Sequence, residues 1–185
     1  MSLGLLPTPT VQICKAAKAV FNVAPGNFYL SQYLEYDKAN GTSKTVDAIA
    51  NLAGGTDAVF SANVLTNLGL AGDTAGQAFL ESTIASSGRG AALEAAFNFL
   101  STVPASNATY GAPAQVFTTS VTNAVVYSSN TANASTDVTT LQAAAAVVVD
   151  DSVKPSDRRG RDQMCGRSEH TFLRFEQNDL YVTWQ

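Results

Sequence analysis

The sequence predicts a mainly α-helical protein: a small multi-helix bundle made from a weakly duplicated helical unit, followed by a C-terminal extension of different composition. Three observations lead to this prediction. Apolar residues recur at spacings of three and four over most of residues 8–146, which is the helical period. The breaks between these segments contain Gly, Pro, Asn and Thr, which cap and stop helices. With 45 % apolar residues among 185, the chain can bury a core.

Start and stop signals place the individual helices. Thr8-Pro9 is typical of an N-cap followed by proline at the first helical position. Thr42 or Ser43 is predicted to cap the third helix. Apolar spacing predicts further helices over 57–68, 74–86 and 89–100, and two more within 112–149 around a polar loop at 128–136. The predicted stops are Pro25-Gly26, Asn40-Gly41, Gly54-Gly55 and Pro104.

A faint internal duplication supports this division of the chain. Asn22-Val-Ala-Pro-Gly, a helix, a break at Gly41 and a further helix are echoed from Asn67 onward, with a matching break at Gly88. The two copies are offset by 45 to 48 residues. Two units are too few for a long solenoid, so we expect them to pack as one small bundle.

Composition changes abruptly near residue 150. All 29 alanines lie before it, whereas the last 35 residues hold none and carry six basic and six acidic residues. We therefore divide the chain into a helical domain, 1–146, and an extension, 147–185. The extension fits a natural short ending, an engineered junction or out-of-frame translation. Its alternating residues near the C-terminus, Leu180, Val182 and Trp184, predict a β-hairpin.

Charge and hydropathy exclude several classes of partner. The net charge is −4 and the pI is about 4.8, which argues against nucleic acid because phosphate binding needs a basic surface. No apolar run approaches the length that spans a bilayer. The uncharged N-terminus, stopped by Pro7, predicts no cleaved leader peptide. Cys14 and Cys165 are too few for a disulfide scaffold and are expected to be unlinked.

The sequence predicts no enzyme. Its one histidine, His170, lies in the extension, and no Gly-x-Ser-x-Gly elbow is present. Cys165 and His170 are two potential zinc ligands where three or four are needed. Cys14 lies on the apolar face of a predicted helix and is expected to be a core residue. No phosphate-binding or dinucleotide-binding glycine loop occurs.

Several loose motifs resemble a known family. Ala19-Val-Phe-Asn-Val-Ala-Pro-Gly26, Asn67-Leu-Gly-Leu-Ala-Gly72 and Phe97-Asn-Phe-Leu-Ser-Thr-Val-Pro104 look like the helical N-terminal region of bacterial surface-layer and haemolysin-type calcium-binding proteins. The resemblance covers about residues 8–146. It implies an extracellular protein exported by a type I pathway, whose helical region anchors a surface layer to lipopolysaccharide.

The chain also departs from that family. Its relatives would bind calcium through glycine-aspartate nonapeptide repeats, which are absent from this sequence. Gly54-Gly-Thr-Asp57 matches only a fragment of the repeat, and a helix stop followed by an N-cap explains it better. We therefore predict no cofactor and no metal site, calcium belonging only to a full-length relative.

The predicted function is that of a structural or cell-surface module. It would attach to surface polysaccharide or lipopolysaccharide, or self-assemble as a homo-oligomer into a layer or filament. Tyr29, Tyr33 and Tyr36, with Gln32 and Asn40 beside them, form the candidate glycan site, because sugars stack on aromatic faces and bond to amides. The alternative is that these tyrosines are core residues with hydroxyls at the rim. Rival functions are a non-catalytic interaction domain left from a longer secreted calcium-binding protein, and an unrecognised hydrolase.

Overall fold

The fold of residues 8–146 is described by a computed structural model, and this part of the chain is helical without strands. The prediction of a mainly helical fold is confirmed. The β-hairpin predicted in the extension lies outside the described residues. The seven helices, in chain order, are α1 (Pro9–Phe21), α2 (Gly26–Asn40), α3 (Thr42–Asn51), α4 (Asp57–Asn67), α5 (Thr74–Thr102), α6 (Gly111–Ser129) and α7 (Val138–Ala145).

Helix α1 lies at the centre of the bundle and contacts α2, α3, α4, α5 and α6. It starts as the sequence predicts: the Thr8 side chain accepts a hydrogen bond from the Val11 N–H, and Pro9 is the first helical residue. Its alanines have little side-chain volume, which lets neighbouring helices approach closely from several sides. Ile13, Cys14 and Ala16 are fully buried. The other large hydrophobic side chains that are fully buried in residues 8–146 are Val46, Ile49, Phe60, Val64, Leu80, Leu93, Phe97 and Val121.

Two glycines turn the chain sharply between helices. Gly41 separates α2 from α3 with φ 86° and ψ 160°, and Gly88 kinks α5 with φ 88° and ψ 169°. Only glycine adopts this region without strain, which explains both predicted breaks. The predicted cap at Thr42 or Ser43 is wrong. Gly41 is itself the N-cap, and α3 begins at Thr42 without a side-chain cap, because one residue suffices for the turn.

The other predicted boundaries agree with the structure to within a few residues. Helix α4 starts after the N-cap Thr56, which accepts from the Val59 N–H, so the Gly54-Gly-Thr-Asp57 segment is a helix stop and cap. Helix α5 ends two residues before Pro104. The two helices predicted within 112–149 are α6 and α7.

Arg89 follows the Gly88 kink and fixes the loop between α3 and α4. Its guanidinium donates to Asp57 Oδ1 at 2.9 Å and to the carbonyl oxygens of Ala53 and Gly55, each at 2.8 Å. It also lies 4.7 Å from the centroid of the Phe60 ring. All three donating nitrogens of the fork are therefore in use, and the loop is tied to α5.

A second set of hydrogen bonds fixes the start of α2. The buried Ser128 hydroxyl at the end of α6 accepts from the Gly26 N–H at 3.0 Å. Asn27 donates its side-chain N–H to the Ser128 carbonyl at 3.1 Å, and its backbone N–H to the Asn133 carbonyl at 2.8 Å. The Ala24 N–H donates to the Leu141 carbonyl of α7 at 2.9 Å. These contacts set the direction in which α2 leaves the bundle.

Candidate ligand-binding face of helix α2

Helix α2 packs on the bundle through one side. It contacts α1, α3 and α6, yet only Gly26 and Leu30 among its fifteen residues are buried. Leu34 and Tyr33 are partly buried and pack against the core. The rest of the helix surface is therefore open to solvent, and this is where the sequence placed a candidate glycan site.

The three tyrosines of that candidate site do not share one environment. Tyr36 is 44 % exposed, whereas Tyr29 and Tyr33 are partly buried. Burial, together with the nearby Tyr29, raises the pKa of Tyr33. The alternative that these tyrosines are core residues thus applies to Tyr33, whereas the Tyr36 ring is accessible to a ligand. Gln32 and Asn40 are exposed, as a glycan site requires.

The sequence prediction did not include Phe28, which is 44 % exposed and packs edge-on against Tyr29 with ring centroids 5.2 Å apart. Phe28 lies four residues before Gln32 and eight before Tyr36, and this helical spacing could have indicated that the three side chains share one face. We name Phe28, Gln32, Tyr36 and Asn40 the α2 stripe. At 1.5 Å per residue these four positions extend over about 18 Å of helix.

The α2 stripe is neutral, with both aromatic and amide groups. Asn40 donates its side-chain N–H to the Tyr36 carbonyl at 3.0 Å, which orients the amide and leaves its oxygen as an acceptor. Within residues 8–146 the Gln32 amide has no hydrogen-bond partner. Charge lies beside the stripe, where the exposed Glu35 and Lys38 form an ion pair. The stripe therefore suits an uncharged, hydroxyl-rich ligand.

A polar recess follows the end of α2. It has a volume of about 250 Å³ and is lined by side chains from α1, α3 and α5: Gln12, Thr42, Ser43, Glu94 and Asn98. Because Asn40 and Ser43 are three residues apart, their Cα atoms lie within about 11 Å of each other. No sequence signal pointed to this recess, since its residues come from three distant segments.

The part of the chain that the structure describes contains one cysteine, Cys14, and no histidine. Cys14 is fully buried, and burial raises the pKa of its thiol from 9.0 to about 12 despite a hydrogen bond with Ser128. Such a thiol is not a nucleophile at neutral pH. Residues 8–146 bring together no group of three or more His, Cys, Asp or Glu that could hold a metal ion. None of the helices described is long and apolar enough to cross a bilayer.

Comparison of the chain with protein-family models, with curated protein sequences and with solved structures yields no match. The functional conclusion therefore depends on the residues themselves.

Proposed function

We propose that the helical domain is a non-catalytic cell-surface module of an exported bacterial protein, and that it binds surface polysaccharide through the α2 stripe. The observation that carries the proposal is the exposed, neutral row of two aromatic rings and two amides on a helix whose other side is packed. The resemblance to surface-layer proteins agrees with an extracellular, type I-exported protein and with lipopolysaccharide as the attachment site.

Sugar recognition uses the groups that the stripe offers. Apolar C–H faces of a pyranose stack on aromatic rings, and amide groups exchange hydrogen bonds with hydroxyls. Phe28 and Tyr36 would supply the rings, and Gln32 and Asn40 the polar partners. The polar recess beyond Gly41 adds hydroxyl, amide and carboxylate groups for a neighbouring sugar unit.

Self-assembly is the second candidate function. Several large apolar side chains outside α2 are exposed, including Val126 at 69 %, Val138 at 59 % and Val116 at 49 %. Exposed apolar residues on α6 and α7 suit contacts between copies of the chain. An interaction domain left from a longer calcium-binding protein, and a hydrolase, are weaker candidates because no observed group carries either.

We also propose that the bundle arose by duplication of a three-helix unit. Gly41 and Gly88 share nearly the same backbone conformation at an offset of 47 residues. Thr8 and Thr56, at an offset of 48, both accept a hydrogen bond from the N–H three residues on. Helices α1 to α3 would then correspond to α4 and the two halves of α5.

The function is tested by co-sedimentation of the full chain with purified bacterial surface polysaccharide and lipopolysaccharide. An aromatic contact is worth about 0.5 to 1.5 kcal/mol, so Tyr36→Ala is expected to weaken binding by about twofold to twelvefold. Tyr36→Phe, which keeps the ring, should bind nearly as well as wild type. Val59→Ala, at a similarly exposed position on α4, is the matched surface control.

Two outcomes would contradict the proposal. Equal losses in Tyr36→Ala and Val59→Ala would show that the α2 stripe does not carry the interaction. A chain that binds none of the polysaccharides but sediments as a concentration-dependent oligomer would favour self-assembly, and a non-binding monomer would contradict both functions. Circular dichroism of each variant establishes that the helices are intact.

A further inference from the structure

An apolar cavity of about 230 Å³ lies between α4, the two halves of α5 and Tyr110. Its walls are mostly aliphatic and aromatic, and include Leu65, Leu68, Phe79, Leu80, Phe99 and Leu100. Phe79 and Phe99 are 47 % and 46 % exposed, so they lie at the open side. At about 30 Å³ per water-sized group, the cavity takes about seven or eight such groups.

One negatively charged group, the Asp73 carboxylate, lines this cavity. Asp73 is the N-cap of α5, and its Oδ1 accepts from the N–H groups of Ala75 and Gly76 at 3.1 and 3.0 Å. Its other oxygen, Oδ2, is buried and has no hydrogen-bond partner among residues 8–146. Neither ion pair in this part of the chain involves Asp73. A buried carboxylate oxygen without a donor is costly and calls for a partner.

Tyr110 lines the same cavity as Asp73 and is a candidate partner inside the protein. The pKa of the Tyr110 phenol is raised, mainly by its hydrogen-bonding interaction with the Asp73 carboxylate. The hydroxyl is nevertheless not placed to make a regular hydrogen bond to Asp73 Oδ2. The Tyr110 ring packs edge-on against Phe99 with centroids 5.1 Å apart. The phenol thus lies beside the carboxylate without satisfying it.

Gly76 makes room for this carboxylate. A Cβ at position 76 would lie 2.8 Å from Asp73 Oδ2 and 3.1 Å from Leu65 Cδ2. Glycine in the first turn of a helix lowers helix stability relative to alanine. The position nevertheless holds glycine, because the Asp73 carboxylate occupies the space that a Cβ would need.

We propose that this cavity binds a small amphiphile, an apolar chain of about eight carbons ending in a protonated amine, and that it encloses about seven or eight of the nine groups. The apolar chain occupies the aliphatic interior, and the ammonium group enters past Tyr110 to pair with the Asp73 carboxylate. Charge complementarity selects this ligand class, because the only formal charge on the cavity wall is negative and lacks an ion-pair partner.

The test uses three probes of equal chain length, n-octylamine, 1-octanol and octanoate, titrated into the full chain below their aggregation concentrations. Binding is followed by calorimetry and by amide chemical shifts. We expect octylamine to bind saturably and at least tenfold more tightly than the other two. The shifted amides should lie in α4, in the first turns of α5 and around Tyr110.

The Asp73→Asn variant removes the negative charge from the cavity wall while keeping a side chain that can cap α5. Asparagine caps helices as well as aspartate does, so the fold should be retained while the preference for octylamine over octanol is lost. Ala75→Leu, at the exposed edge of the cavity, should weaken all three probes. Ala58→Leu occupies the same second position of α4, does not line the cavity and should bind like wild type.

These measurements distinguish a site that selects amines from an apolar crevice that does not. Equal affinity for all three probes, a preference unchanged by Asp73→Asn, or shifted amides on α2 or in the C-terminal half of α6 would each overturn the proposal. So would the absence of saturable binding in a chain whose circular dichroism is that of the native fold. Because Asp73 is not part of the α2 stripe, none of these results depends on polysaccharide binding.

Discussion

Replacement of Gly90 by alanine tests how closely α3 and α5 pack. Gly90 is buried just after the Gly88 kink, and its N–H donates to Asp47 Oδ1 at 3.1 Å. A Cβ at position 90 would lie 2.6 Å from the Cα and Cβ of Asp47 and 2.9 Å from its backbone nitrogen. Real contacts of this kind are essentially never so short, so the neighbouring helix would have to move.

Two opposing effects determine the sign. Alanine favours a helix over glycine by about 1 kcal/mol, and this would stabilise the variant. Insertion of a methyl group into a close-packed contact costs about 1 to 3 kcal/mol, occasionally more. The upper part of that range applies here, because the contacted atoms are two backbone atoms and the Cβ of Asp47, none of which can rotate away. We expect Gly90→Ala to lower the free energy of unfolding by about 2 kcal/mol.

The assay is urea unfolding of the full chain followed by far-ultraviolet circular dichroism. The transition midpoint should fall with the slope unchanged. Two glycines provide matched controls, since a Cβ at Gly41 or Gly54 has no other atom within 4 Å. Gly54→Ala should stay within about 0.5 kcal/mol of wild type. Gly41→Ala isolates the strain of a positive φ and should cost about 1 to 3 kcal/mol.

A higher midpoint for Gly90→Ala, or one equal to that of Gly54→Ala, would refute this reasoning. Either result would mean that α3 and α5 are further apart than the structure shows, or that α3 shifts at little cost.

Three further outcomes follow from the same packing. Arg89→Lys should destabilise the fold by about 1 to 3 kcal/mol in the same assay, because an ammonium cannot replace the guanidinium fork; a neutral effect would show that the loop does not need it. Ser128→Ala should cost about 1 to 3 kcal/mol, because it leaves the buried Gly26 N–H unsatisfied; unchanged stability would mean that water replaces the hydroxyl. In a Cys165→Ser background, Cys14 should resist thiol reagents until urea unfolds the chain. Burial raises the pKa of the Cys14 thiol from 9.0 to about 12. The stability contributed by the neutral thiol is therefore present below pH 9 and lost as the pH rises toward 12. A Cys14→Ala variant should lack this pH dependence of the free energy of unfolding.

Helix boundaries were the most predictable feature of the fold. The cap at Thr8 and the breaks at Gly41 and Gly88 are set by residues adjacent in the chain, so local pattern was enough to find them. The expected cap at Thr42 or Ser43 was wrong for a related reason. The sequence shows a capping residue type at those positions, but the positive φ of Gly41 allows α3 to start directly after it.

The candidate site was only partly predictable. Helical spacing placed Tyr29, Tyr33 and Tyr36 along one helix, but spacing does not say which side meets the bundle. Packing on α1, α3 and α6 buries part of Tyr33 and leaves Tyr36 exposed. It also exposes Phe28, which has the helical spacing of Gln32 and Tyr36 but whose apolar character favoured a place in the core.

The sequence by itself determined the order of helices, their turns and the neutral, alanine-rich composition, because these depend on interactions within a few residues. Only the tertiary structure decided what those helices bring together. Ser128 and Gly26 are 102 positions apart and bond in the interior, Gly90 meets Asp47 across two helices, and Asp73 lines a cavity with leucines of α4. Such contacts depend on how side chains fill space between helices, which no local pattern specifies.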